Sequence, residues 1–495
     1  MGCTLPFENK FSWLSFAPSL HKMGCTLPFE NKFSWLSFAP SLHKMGCTLP
    51  FENKFSWLSF APSWLFIQLI GMRVLLINTS EKTGGAAVAA NRLLETLNNN
   101  GVKAKLLVAD KVTDSIVVVQ APHPWLRRWN FLWERWCLFW HLHFNRKNLF
   151  EIDMANAGID ITNTPEFKEA DVIHLAWVNQ GLLSLGVIRK IIASGKPVVW
   201  TMHDIWPATG ICHVTLGCKA YRSTCQSCKF LPKHHSPFDL STRIFNRKKK
   251  LYSGSGIHFV TCSKWLGDQA RQSALLSGLH VDTIPNPIDT HVFYPKDKRE
   301  ARERVNLPVD KRIILFVSQR VTMERKGIAY FIEAIDRMVG QHPEMQQNTV
   351  VAILGGHAEE VVDQLRLPAF PLGYVSDERQ ITDIYSAADV FVIPSLDENL
   401  PNTIMESMAC GVPSVGFKVG GIPEMIDHQK NGYVAKYKDS ADLAAGIHWA
   451  LNEADPDTLR QNALTKVRTC YSQRAVAMHY VEVYNQALAF KNYNI

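Results

Sequence analysis

The stretch ENLPNTIMESMACGVP, residues 398 to 413, holds two glutamates, Glu398 and Glu406, in an E-x7-E spacing. The first follows the apolar run 390–394, and the second lies two turns into a stretch of helical pattern. Residues 395–401 form the strand-to-helix loop, which leaves the amides of Asn399 and Leu400 at a helix start, where free N–H groups attract phosphate. A carboxylate on either side would repel the phosphate but accept hydrogen bonds from vicinal hydroxyls. Phosphate held by amides and sugars held by glutamates describe a nucleotide-sugar. The plainer alternative is a capping pair plus a surface glutamate.

Other stretches with chemical potential also come after apolar runs. Gly84 and Gly85 come after MRVLLIN and open a helical pattern, so a ligand could approach the backbone there; a simple turn is the alternative. In RVTMERKG, residues 320 to 327, Arg320 could fork onto phosphate oxygens and Lys326 could add a compact charge, unless the stretch is merely a solvated basic loop. His203 ends the run KPVVWTMHD at what would be a cleft edge, with Asp204 placed to orient it. Cys212, Cys218, Cys225 and Cys228 have five, six and two residues between them. That cluster fits a structural thiolate zinc site, for which His213 would compete as a ligand, or reduced thiols, or a disulfide pair. A metal there would brace the loop beside His203 rather than catalyse.

HPWLRRWNFLWERWCLFWHLHFNRKNLF, residues 123 to 150, sets five tryptophans among arginines and lysine. Such interleaving suits a bilayer surface or a lipid-linked acceptor, or else a helix whose aromatic stripe packs in the core. The run RKKK at 247–250 would add attraction to anionic lipid, or be solvated surface.

These residues need a scaffold. The chain has 495 residues, 46% of them hydrophobic and 20% charged, with a formal net charge of +8. That length allows two or three domains, and the mild charge gives no concentrated basic stripe for nucleic acid. The apolar run 64–77, interrupted by Gly71 and Arg73, is too short to cross a bilayer, and no cleavable signal is evident; both point to the cytoplasm. From Met72 onward, strand and helix alternate. MRVLLIN, KAKLLVA, ADVIHLAW, KPVVWTMHD and IHFVTCS predict strands of a first parallel sheet, with helices at VAANRLLETLNNNG and 182–194. RIILFVSQ, TVVAILGG, ADVFVIPS and VPSVGF predict a second, with helices near 328–339, 381–387 and 403–409. The Pro-rich 284–289 reads as the hinge, and a last helix at 473–491 could pack on either half. The expected fold is α/β: two doubly wound Rossmann-like domains facing across a cleft, with ligands beyond the carboxyl ends of the strands.

The opening residues stand apart. MGCTLPFENKFSWLSFAPSLHK begins at Met1, again at Met23 and again at Met45, identical wherever the copies overlap. Such identity reads as duplicated coding sequence rather than a solenoid. The expected division is a repeated extension over 1–71, an acceptor-binding domain over 72–285, a nucleotide-sugar domain over 286–472, and a terminal helix and tail over 473–495.

The order strand–GG–helix, WTMHD, hinge, R…KG and then ADVFVIPSLDENLPNTIMESMACGVPSVGFKVGGIPEMI resembles the large retaining glycosyltransferase family 4 of GT-B fold, from Met72 to about Tyr484. The resemblance implies that Glu398 contacts the donor sugar, that Glu406 binds the ribose hydroxyls, and that Arg320 and Lys326 hold the diphosphate. Here the Arg–Lys spacing is one residue longer than usual, and Arg325 beside Lys326 competes with Arg320 for that role. It further implies that the loop LGYVS, with Tyr374 and Val375, meets the base, and that His203 lies against the transferred sugar. The sub-pattern HD-x-W-P-x-T-G-x-C resembles bacterial enzymes of capsule, exopolysaccharide and lipopolysaccharide synthesis.

Those implications set the expected activity: retaining transfer from a nucleotide-sugar to a glycan or polyprenyl-linked acceptor, at the cytoplasmic face of the inner membrane, with no metal required for catalysis. A nucleotide-sugar epimerase of the same fold and a non-catalytic membrane-associated scaffold are the competing readings.

Overall fold

The computed structural model describes residues 71–232 and 236–493, so the repeated opening stretch lies outside the described residues. Within them the alternating pattern becomes two wholly parallel sheets. The first contains β1 (Arg73–Ser80), β2 (Lys103–Asp110), β3 (Val118–Gln120), β4 (Val172–Leu175), β5 (Val198–Met202), β6 (His258–Thr261) and β7 (Val281–Thr283), in the order β3-β2-β1-β4-β5-β6-β7. The second contains β8 (Arg312–Arg320), β9 (Thr349–Gly356), β10 (Ala369–Gly373), β11 (Val390–Ile393), β12 (Ser414–Phe417) and β13 (Gly432–Ala435), in the order β10-β9-β8-β11-β12-β13. Each order reverses once, between β1 and β4 and between β8 and β11. At such a switch point the loops leaving the strands diverge to opposite faces and open a crevice.

The central strands are largely apolar because helices cover both faces. Every residue from Val74 to Thr79 of β1 is buried, as are all four of β11. The helices that frame the crevice and its supports are α1 (Gly85–Asn99), α2 (Pro124–His141), α3 (Lys264–Arg271), α4 (Ile328–Gln341), α5 (Glu378–Ala387), α6 (Asn402–Ala409), α7 (Ile422–Met425) and α8 (Gln473–Tyr493).

The last helix returns to the first domain. Val476, Tyr480 and Tyr484 of α8 share a buried cluster with Leu76, Leu93 and Val199. The Tyr484 hydroxyl lies 2.6 Å from Nδ1 of buried His174, whose Nε2 is 2.8 Å from the Thr201 hydroxyl; Tyr480 OH is 3.0 Å from that same hydroxyl. The chain crosses between domains twice, and the crossings touch. Ile288 of the Pro-rich segment pairs with Ser472, and its amide donates to the Tyr471 carbonyl at 2.8 Å.

Candidate active site

Loops from both switch points converge. After β8 the chain forms a short turn containing Lys326 and then Gly327, whose φ of 74° begins α4. A Cβ on Gly327 would fall 1.9 Å from the Pro394 carbonyl oxygen, so only glycine lets this turn lie against the end of β11. The Leu396 amide donates to the Arg325 carbonyl at 2.8 Å, tying the two loops together. Lys326 Nζ thereby contacts Glu398 Oε1, which also accepts from the Ser395 hydroxyl at 3.2 Å. Asp397 lies in the same acidic group: burial, then the neighbouring Glu398 charge, push its carboxyl above the usual range.

The GG turn after β12 supports this loop from behind. Gly420 has φ of 58°, and a Cβ there would meet the Glu398 carbonyl oxygen at 1.6 Å; one on Gly421 would meet that of Asn399 at 2.0 Å. These two glycines let the backbone that presents Glu398 rest on the backbone of the turn.

Across the cleft, Asn399 bridges the domains. Its Oδ1 accepts from the Ser263 hydroxyl at 2.6 Å, and its Nδ2 donates to the His203 carbonyl at 3.0 Å. The His203 ring lies with Nδ1 3.5 Å from the Cys262 sulfur. Burial pushes its pKa down to about 4, against the pull of Asp204, so the imidazole is neutral at ordinary pH.

Asp204 does not orient His203, contrary to the sequence-based expectation. It accepts from His213 Nδ1 and Trp177 Nε1 on one oxygen and from the Trp206 amide on the other, each at 2.8 Å. Burial opposes ionisation there, but the His213 charge and those donors outweigh it and lower the pKa. His213 is raised in turn: burial works against its charge, and Asp204 prevails. The HD pair thus divides, with Asp204 anchoring the loop through a histidine nine positions on.

Glu406, on α6, is paired across the cleft. Arg92 of α1 reaches Oε1 at 2.7 Å, and the Tyr385 hydroxyl donates to Oε2 at 3.0 Å. Arg92 also lies over the Phe293 ring, 5.0 Å from its centroid. Sequence reasoning missed Arg92, which sits 314 positions from its partner. It missed Glu424 as well: this carboxylate of the GGIPE turn accepts from the amides of Lys264 and Trp265, at 2.8 and 2.7 Å, at the start of α3 in the other domain.

The remaining expected residues separate. Gly84 has φ of 91° and opens α1, and the Gly85 carbonyl accepts from Asn402 Nδ2 at 3.5 Å across the cleft. Arg320 is exposed at the end of β8 and donates to Thr322, whereas Arg325 acts electrostatically on Asp397. Leu400 is buried in the second domain's core, Val375 packs against that core, and Tyr374 is 67% exposed.

Burial and one another's proximity raise Cys212 and Cys225 to about 12 and also raise Cys228. All four cysteines are free thiols, and among the described residues no group of three or more His, Cys, Asp or Glu is gathered as a metal ion requires. Lys248, within the run read as a basic surface, is instead fully buried. Its Nζ donates to the Trp206 and Thr209 carbonyls at 2.6 and 3.0 Å and lies 3.3 Å from the Trp206 ring centroid; burial lowers its pKa to about 7.

Comparison with known proteins agrees with this architecture. Residues 311–453 match the family described as Glycosyl transferases group 1. The D-inositol 3-phosphate glycosyltransferase of Thermobispora bispora is 30% identical over 226 residues, 42% of this chain and 50% of that protein. The chain spans about half the length of the curated relatives it matches. Among solved structures, sucrose-phosphate synthase from Thermosynechococcus elongatus aligns with a TM-score of 0.57 at 20% identity, over 84% of this chain and 99% of that one. Anabaena Alr3699/HepE in complex with UDP and glucose aligns with a TM-score of 0.53 at 16% identity, over 84% and 100%. The fold is therefore that of GT-B glycosyltransferases: two parallel-sheet α/β domains, the second carrying the group 1 match.

Proposed function

We propose that this protein is a glycosyltransferase that moves a sugar, with retention of configuration, from a nucleotide-sugar to a glycan or polyprenyl-linked acceptor in cell-surface polysaccharide synthesis. One observation carries the reading: Lys326 and Glu398 meet at the second sheet's switch point, one residue from the Asn399 that is bonded to His203 of the first domain. A cation for phosphate and a carboxylate for hydroxyls thus share one crevice. The UDP and glucose held by the Anabaena neighbour support a nucleoside diphosphate donor as a class.

In this reading the acceptor oxygen bonds to the anomeric carbon on the face from which the diphosphate oxygen leaves, and the acceptor's proton passes to that departing oxygen. Lys326, with Arg320 or Arg325, stabilises the charge growing on the diphosphate. Glu398 and neutral His203 position the ring as it becomes cationic, and Glu406 takes the ribose hydroxyls once Arg92 gives way.

Thermal-shift screening against UDP-, GDP- and ADP-sugars identifies the donor. NMR of the product formed on an added glycan then reads its anomeric configuration. Retained configuration, with nucleotide released only in the presence of acceptor, supports the proposal. An inverted product rules out the same-face route, and an epimerised sugar released without acceptor replaces transfer with epimerisation.

A further inference from the structure

Helix α2 turns its tryptophans outward. Trp125, Trp129, Trp133, Trp136 and Trp140 are 55–66% exposed, and Phe144 packs edge-on to Trp140 just beyond the helix. Together the five indoles expose roughly 600 Å², at the upper end of what an ordinary monomer leaves uncovered. Core packing does not account for them, because the helix spends its opposite side on that task. Leu138 is fully buried, and Arg135 bonds Asp153 Oδ2 at 2.9 Å and the Leu149 carbonyl at 2.6 Å.

Charge on the exposed side has one sign. Arg128, Arg146 and Lys147 are exposed, while the sole acid between residues 123 and 150, Glu134, is fully buried beside Asp153. Of the groups on neighbouring elements, Asp110 is paired with Arg127, and Glu151 is the nearest exposed carboxylate in sequence. Self-association through this face would bring cations against their own copies, which disfavours a two-fold dimer. Indole rings beside guanidinium and ammonium groups instead suit the headgroup layer of an anionic bilayer, where the ring is half in hydrocarbon and its N–H stays wet.

The patch also lies at the cleft end of the first sheet. Gly181, in the loop after β4, has φ of 83°, and a Cβ there would strike the Phe131 amide of α2 at 2.7 Å. Asn130 reaches the Gly181 carbonyl at 3.4 Å. We infer that α2 is a membrane-docking helix that lies flat on an anionic leaflet and sets the acceptor side of the cleft against the bilayer, for a lipid-linked acceptor. This rests on the proposed transfer for its purpose but not for its test.

The test floats the full chain with vesicles of phosphatidylcholine alone or mixed with phosphatidylglycerol, tracking indole emission in parallel. The wild type should float with the mixed vesicles and shift its emission to the blue. Trp129→Ser/Trp133→Ser/Trp136→Ser should lower vesicle affinity at least tenfold, and Arg128→Glu/Lys147→Glu should abolish the preference for the anionic lipid. Both variants should keep wild-type nucleoside diphosphate binding, which establishes that they fold. A wild type that stays in solution with both vesicle types, a triple variant that floats as well as wild type, or a dimer by light scattering that the triple variant abolishes would overturn the inference. Flotation without any sugar transfer would leave docking standing and remove the proposed function.

Discussion

Glu398→Gln separates the two tasks assigned to the crevice. In the structure Lys326 is committed to Glu398, so an incoming diphosphate must compete with a carboxylate for its cation and tolerate that carboxylate's charge. The substitution keeps the shape and the Ser395 contact while removing the charge. A unit charge at about 4 Å is worth ~1 kcal/mol in water and ~4 kcal/mol at an effective dielectric of 20. The side chains of Lys326 and Glu398 are 27% and 15% exposed, so the lower half of that range applies. A gain of about 1–2 kcal/mol is a tightening of about 5- to 30-fold. Calorimetry should therefore show Glu398→Gln binding the free nucleoside diphosphate more tightly than wild type. Its transfer rate should fall at least tenfold, because the neutral amide no longer steadies a cationic sugar. A folded variant whose diphosphate affinity is unchanged or weaker would refute the argument that these two groups face a shared phosphate.

Other perturbations probe the remaining contacts. Glu406→Ala should weaken binding of the nucleoside as well as the nucleotide by about tenfold, the scale of a charge-assisted hydrogen bond, as measured by titration with each. Gly421→Ala should lower both Tm and donor affinity, since its Cβ would fall 2.0 Å from the Asn399 carbonyl and displace the loop carrying Glu398; an unshifted melting curve would count against that contact. Glu424→Ala should cost about 1 kcal/mol, as loss of a helix cap does, and should increase small-angle scattering dimensions if it also loosens the domains. His174 and His203 are buried neutral, lowered to about 3 and about 4, so the unfolded chain binds more protons below about pH 6.5. Their contribution is complete above that pH and is lost as pH falls toward 4, whereas raised His213 contributes with the opposite sign; Tm should fall between pH 6.5 and 4, and transfer should show no inflection near 6.5 from His203.

The central strands were legible because burial on both faces leaves an unbroken apolar run, as in MRVLLIN and ADVFVIPS. The edge strands β3, β7, β10 and β13 were not: short and partly exposed, they look like loop. The loop glutamates and Lys326 could be found because they come directly after recognisable strands. Arg92, Glu424 and the Asp204–His213 pair could not, because each acquires its role only when distant segments meet. The aromatic run of α2 was ambiguous for a related reason: periodicity shows that a stripe exists but not whether anything covers it.

The return of α8 to the first domain bears on biosynthesis. Tyr480 and Tyr484 complete a core whose other members include residues from Met72 to Ile284. A ribosome making this chain releases the entire second domain before it supplies those tyrosines. Until then the part of that face which α8 covers stays unsealed, although α1 already packs on the rest, and its apolar side chains are exposed in the nascent polypeptide. Translation speed and chaperone supply therefore bear on the yield of the first domain more than on that of the second.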